Sequence, residues 1–131
     1  MSRRVIIRLT MLLVLCAGTG AADARAVADA YPARLLVYAQ EWSLSPSRAT
    51  LPAGRVIVEL WNRGMDPHDL RARRLVDRRM VGHTFAVHIT QPGKITTATW
   101  TLSPGRYQLY CSLPGHMKAG MHVQITVRPR R

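Results

Sequence analysis

From about Tyr31 onward, apolar and polar residues alternate in short runs divided by Pro and Gly, with no sustained helical period. Such a pattern predicts half-buried strands rather than amphipathic helices. Val56, Val58 and Leu60 share one parity, while Arg55, Ile57, Glu59 and Trp61 share the other. Ala98, Trp100 and Leu102 repeat the alternation, as do Val123, Ile125 and Val127. Because strand side chains point alternately to opposite faces, parity assigns the inward set. Turn signals stand between the runs: Leu51-Pro52-Ala53-Gly54, Asn62-Arg63-Gly64, Gln91-Pro92-Gly93 and Ser103-Pro104-Gly105. Pro presets the first central φ of a type II turn and Gly accepts the positive φ of the second. The expected fold is all-β, a Greek-key β-sandwich or flattened barrel of about seven or eight strands. The segment from Leu70 to Val81, with Arg71, Arg73, Arg74, Arg78 and Arg79, is the least regular. It reads either as a strand passing into a helical turn or as a charged loop.

The first 24 residues differ from the rest. Arg3, Arg4 and Arg8 precede an apolar run from Leu9 to Ala17, followed by small residues ending in Ala22-Asp23-Ala24. A basic head, an apolar middle and a small-residue end read as a secretory signal peptide, residues 1–24, with Ala30 as the next candidate cleavage point. The charge-free stretch Leu9 to Ala22 spans 14 residues, short of the roughly 18 needed to cross a bilayer. Ser2-Arg3-Arg4 is also compatible with a twin-arginine export signal, whereas Leu15 before Cys16 argues against lipidation. Residues 25–32 are expected to be a flexible segment and 33–131 the folded domain. Export, to the periplasm or the extracellular space, removes Cys16 and leaves Cys111 as the one thiol of the mature chain. A lone thiol in an oxidising compartment is open to oxidation unless it is buried or bound to metal.

Tyr107, Leu109 and Cys111 share a parity, so Cys111 points inward at the end of its strand. Ser112-Leu113-Pro114-Gly115-His116-Met117-Lys118-Ala119-Gly120-Met121 follows. A thiol, an imidazole and a thioether thus lie on one loop, with four residues between Cys111 and His116 and four between His116 and Met121. His68, just beyond the strand ending near Trp61, is a fourth candidate, because loops at one end of a Greek-key sandwich cluster in space. Two imidazoles, one thiolate and one weak thioether make up the ligand set of a mononuclear blue-copper site. Taken singly, a buried Cys is usually an inert small hydrophobe, and single His or Met residues are usually structural; it is the combination and spacing that point to a metal. His88 and His122 have outward parity and read as solvated strand residues, and His83 has no assigned role.

These residues carry a resemblance. Pro104-Gly105-Arg106-Tyr107 through Cys111, Pro114-Gly115-His116 and Gly120-Met121, together with Leu51-Pro52-Ala53-Gly54, Asn62-Arg63-Gly64 and His68, resemble the two halves of a cupredoxin over roughly residues 33–128. The resemblance implies that His68, Cys111 and His116 are strong ligands and Met121 a weak axial one for a single Cu(I)/Cu(II) ion. It also implies supporting roles for Asn62, Asp69 and Ser112. Asp69 stands where the family often has Asn. Its amide can still bond the ligand sulfur, but its carboxylate needs a partner, for which Ser112 or a nearby Arg is expected. A binuclear centre would need a second loop cysteine, and residue 115 is Gly; a multicopper oxidase flanks its cysteine with histidines, and here Tyr110 and Ser112 stand there.

Removing residues 1–24 leaves 16 Lys and Arg against 6 Asp and Glu, a net charge of +10. Such a surface suits an acidic redox protein or an anionic membrane surface, docked through Arg71, Arg73, Arg74, Arg78 and Arg79. Leu113, Pro114, Met117 and Met65 would form an apolar contact around the exposed edge of His116. No nucleic-acid motif, catalytic triad, phosphate-cradling loop or paired carboxylate stands out. A monomeric, non-enzymatic electron carrier without a small-molecule substrate is therefore expected. Its rival is a copper-binding protein for storage, delivery or resistance, and a metal-free structural β-sandwich is a third class.

Overall fold

The computed structural model describes residues 31–130. The proposed leader, its cleavage points and Cys16 lie outside the described residues, as does most of the 25–32 segment. Nine strands form: β1 Ala33–Gln40, β2 Ser43–Pro46, β3 Thr50–Pro52, β4 Gly54–Asn62, β5 His68–Val76, β6 Arg79–Thr90, β7 Ile95–Leu102, β8 Gly105–Tyr110 and β9 His122–Arg128. One short helix, α1 His116–Ala119, precedes β9. The strands make two sheets, ordered β2-β1-β4-β7 and β3-β9-β8-β5-β6. The β1–β4 and β3–β9 pairs are parallel and the others antiparallel.

Parity predicts the core. On β4 the buried positions are Val56, Val58, Leu60 and Asn62, with Arg55, Ile57, Glu59 and Trp61 facing outward to varying degrees. Trp100, Leu102, Ile125 and Val127 enter the same core from β7 and β9. Each buried aliphatic side chain contributes about 1.5–3 kcal/mol relative to exposure, which suffices to close two layers without a disulfide. The sheets are also joined by a hydrogen bond, Trp100 Nε1 donating to the Ala86 carbonyl at 3.1 Å. Gln108 has outward parity yet is buried, and its side-chain amide donates to the Val123 and Leu109 carbonyls, each at 3.1 Å.

One expectation needs correction. Among the described residues the strands number nine, in keeping with the expected all-β sandwich, because short β2 and β3 pair at the sheet edges. The stretch from Leu70 to Val81 is a strand, as one reading had it, but no helical turn follows: it is most of β5, the turn at Asp77 and Arg78, and the start of β6. Its alternation is blurred because β5 and β6 slip register twice, between His68 and Leu70 and between Ala72 and Arg74.

Candidate metal centre

Three neighbouring strands deliver the candidate donors to one pole. His68 opens β5, Cys111 directly follows β8, and Met121 directly precedes β9. His116 begins α1 in the loop between the last two. That loop is bound into a compact unit. The Cys111 amide donates to the Met121 carbonyl at 3.0 Å, the Met121 amide to the His116 carbonyl at 3.1 Å, and the His116 amide to the Leu113 carbonyl at 3.1 Å.

Ligating atoms of His68, Cys111 and His116 all lie within 4.8 Å of one another. His68 Nδ1 is 3.2 Å from His116 Nδ1, and Cys111 Sγ is 3.5 Å from that same nitrogen. A first-row divalent ion about 2.0 Å from nitrogen and about 2.3 Å from sulfur, at tetrahedral angles, would set these separations near 3.3 and 3.5 Å. The two separations at His116 Nδ1 therefore match those around a bound ion, and the remaining pair, His68 and Cys111, stays within 4.8 Å. His68, Cys111 and Met121 are buried and His116 is partly exposed.

The surroundings hold the donors in place. Burial pushes the Cys111 thiol up, against backbone hydrogen bonds from Asp69 and Leu113 that stabilise the thiolate. The Asp69 carboxylate is buried, which alone would raise its pKa, yet the Ser112 hydroxyl and amide and the Arg71 guanidinium hold it below the ordinary value. The Ser112 hydroxyl is 2.5 Å from Oδ2 and its amide 2.6 Å from Oδ1, and Arg71 Nε is 2.8 Å from Oδ2. Asn62 organises the approach to His68. Its Nδ2 donates to the Asp66 and Thr90 carbonyls at 2.7 and 2.9 Å, and its Oδ1 accepts the Gly64 amide at 2.9 Å.

The outer face of this pole is apolar. Leu113, Pro114 and Met117 line a depression that also reaches Cys111 and Lys118, and Met65 is exposed nearby in sequence to His68. The five arginines differ in their surroundings. Arg71 is engaged by Asp69, and Arg73 is half-buried and reaches the Gly82 carbonyl at 3.4 Å. Arg74, Arg78 and Arg79 are exposed toward the far end of the β5–β6 hairpin. Strand β5 has nine residues, so its far end lies about 26 Å from His68 at ~3.3 Å per residue. His83, His88 and His122 are exposed.

Two side chains at the site have no signal in the sequence. Glu41, in the β1–β2 turn, places Oε1 3.0 Å from His68 Nε2. Trp42 packs edge-on against His116, with ring centroids 4.9 Å apart and an interplanar angle of 76°. Both come from a turn whose residues carry no metal-binding spacing; the only hint is an acid beside an aromatic in a chain with seven acidic residues.

No protein-family profile matches the chain. Over 42 residues it is 43% identical to the copper-resistant cuproprotein CopI of Pseudomonas aeruginosa, a stretch covering 31% of this chain and only 23% of that protein. Among solved structures, auracyanin from Roseiflexus castenholzii superposes with a TM-score of 0.58 at 19% identity, over 73% of this chain and 97% of the other. Auracyanin A, a "blue" copper protein from Chloroflexus aurantiacus, gives 0.59 at 13% identity, over 75% and 100%. Rusticyanin from Thiobacillus ferrooxidans gives 0.55 at 18% identity, over 72% and 76%. At these identities the likeness establishes the architecture: two packed sheets in the cupredoxin fold.

Proposed function

We propose that this cupredoxin-fold domain holds one copper ion between His68, Cys111 and His116, with Met121 as a weak axial donor, and carries single electrons between redox partners. The observation that carries this reading is the convergence of two imidazoles and one thiol within 4.8 Å, with both separations at His116 Nδ1 matching a bound ion. Two His, one Cys and a distant thioether favour copper over the cysteine-rich or carboxylate sets that other ions prefer. Bound there, copper supplies a one-electron Cu(II)/Cu(I) couple.

The chain's own residues keep that exchange cheap. Asn62 and Asp69 fix the two segments that bear His68 and Cys111, so neither need move on a change of oxidation state. The amides of Asp69 and Leu113 bond the sulfur and tune its electron donation. His116, partly exposed and packed edge-on against Trp42, is the point of electron entry and exit, and the apolar residues Leu113, Pro114 and Met117 on the same loop suit brief contact with a protein partner. The basic, apolar and small-residue pattern of residues 1–24 supports the reading that the protein acts outside the cytoplasm.

The 42-residue similarity to CopI favours a second reading, copper handling in resistance. Repeated voltammetric cycling in the presence of a Cu(I) chelator separates the two. A carrier keeps its copper through reversible one-electron cycles, whereas a handling protein surrenders it to the chelator on reduction.

A further inference from the structure

The carboxylate of Glu41 occupies a built cradle. One oxygen, Oε1, accepts the Met65 and Asp66 amides at 2.8 Å each and lies 3.0 Å from His68 Nε2. Gly64 leaves the room for it, since a Cβ at that position would collide with Oε1. The His68 side chain is fully buried and that of Glu41 is 22% exposed, so the carboxylate stands between the imidazole and solvent. The Asp66 amide above all, with those of Glu41 and Met65 and the His68 ring, holds the carboxyl down at about 2 despite partial desolvation.

An imidazole offers one lone pair in its neutral form, and which nitrogen keeps it is set by the hydrogen bond the other makes. With a carboxylate at Nε2, the proton resides there and Nδ1 presents its lone pair toward His116 Nδ1, 3.2 Å away, and Cys111. We propose that Glu41 is a positioning residue for His68: it selects the Nε2–H tautomer, orients the ring, and makes the imidazole a stronger donor to the oxidised than to the reduced ion. This inference rests on the copper reading above for its redox consequence, but not for the tautomer. An outer carboxylate of this kind is typically worth 10- to 100-fold in metal affinity. The part due to charge acts mainly on Cu(II), because the imidazole then bears more negative charge.

The test compares the full protein with Glu41→Gln and Glu41→Ala in two measurements. In the metal-free protein, nitrogen NMR of His68 should report the Nε2–H tautomer in the wild type and in Glu41→Gln, whose amide oxygen still accepts, and a mixture in Glu41→Ala. In the copper-loaded protein, Glu41→Gln should weaken Cu(II) about tenfold more than Cu(I), which raises the potential by about 59 mV for one electron. The Gln variant keeps the cradle filled, so it decides the potential even where the Ala variant folds poorly. An Nδ1–H tautomer in the wild type, or a potential unmoved by Glu41→Gln, overturns the proposal. A wild type that takes up no copper overturns the copper reading instead, and the tautomer measurement then still decides the role of Glu41.

Discussion

Asp69 and Ser112, 43 positions apart in sequence, are joined twice, through the Ser112 amide and through its hydroxyl, onto the two oxygens of one carboxylate. Each is the chain neighbour of a proposed ligand, His68 and Cys111. The pair therefore locks the β5 entrance to the β8 exit before any ion arrives. Asp69→Ala leaves the Ser112 amide and Arg71 without their acceptor in a largely buried site, and should cost about 3 kcal/mol in the metal-free protein. Asp69→Asn, which keeps the shape, should cost about 1 kcal/mol. Urea denaturation measures both. The folded-state pKa of Asp69 lies below its ordinary 3.8, so the stabilisation is complete above the ordinary value and drains away as pH falls through the folded one. Asp69→Asn should flatten that acid limb.

Gly64→Ala isolates the cradle of Glu41. The added Cβ meets the Glu41 carboxylate, which must leave the Met65 and Asp66 amides, so a loss of about 1–3 kcal/mol is expected. The carboxylate, displaced from His68, should leave the potential shifted in the same direction as in Glu41→Gln. Voltammetry and thermal denaturation of the one variant check both expectations.

Gly120→Ala is expected to behave differently. Gly120 has φ of 128°, and a Cβ there would lie 2.8 Å from the Trp42 backbone carbonyl, which cannot swing aside as a side-chain tip can. Strain of about 2 kcal/mol is expected, falling on the residue before Met121. Denaturation of the metal-free protein should show that loss.

Trp42→Ala removes the edge-on contact with His116, worth about 1 kcal/mol, and uncovers the imidazole. Electron exchange with a small inorganic reagent should become faster, while Trp42→Phe should stay near the wild-type rate. Stopped-flow kinetics at fixed ionic strength give the comparison.

Charge reversal at Arg78 and Arg79 should leave the potential and the visible spectrum unchanged. Their hairpin end is about 26 Å from His68 along β5, well beyond the screening length of about 8 Å at physiological salt.

Strand parity and the Cys111 loop are legible in the sequence because both are local: side chains alternate with period two, and three candidate donors fall within eleven residues. His68 is a candidate in the sequence because sandwich loops gather at one end, and a buried Asp69 carboxylate calls for Ser112 or a nearby Arg, although which Arg it meets is not readable until the strand forms. Glu41 and Trp42 are not legible there, since a turn 27 residues before His68 meets the site only once β1 and β4 have paired. The β5–β6 hairpin is obscured for another reason: its register slips break the alternation on an edge strand whose burial is irregular.

The most direct test of a copper centre built on Cys111 is the visible absorption spectrum of the copper-loaded protein beside that of Cys111→Ser. An intense thiolate-to-Cu(II) charge-transfer band in the wild type, absent from the serine variant, is the expected result. A band that survives the substitution, or a wild type with only the faint colour of copper held by nitrogen and oxygen, would contradict it.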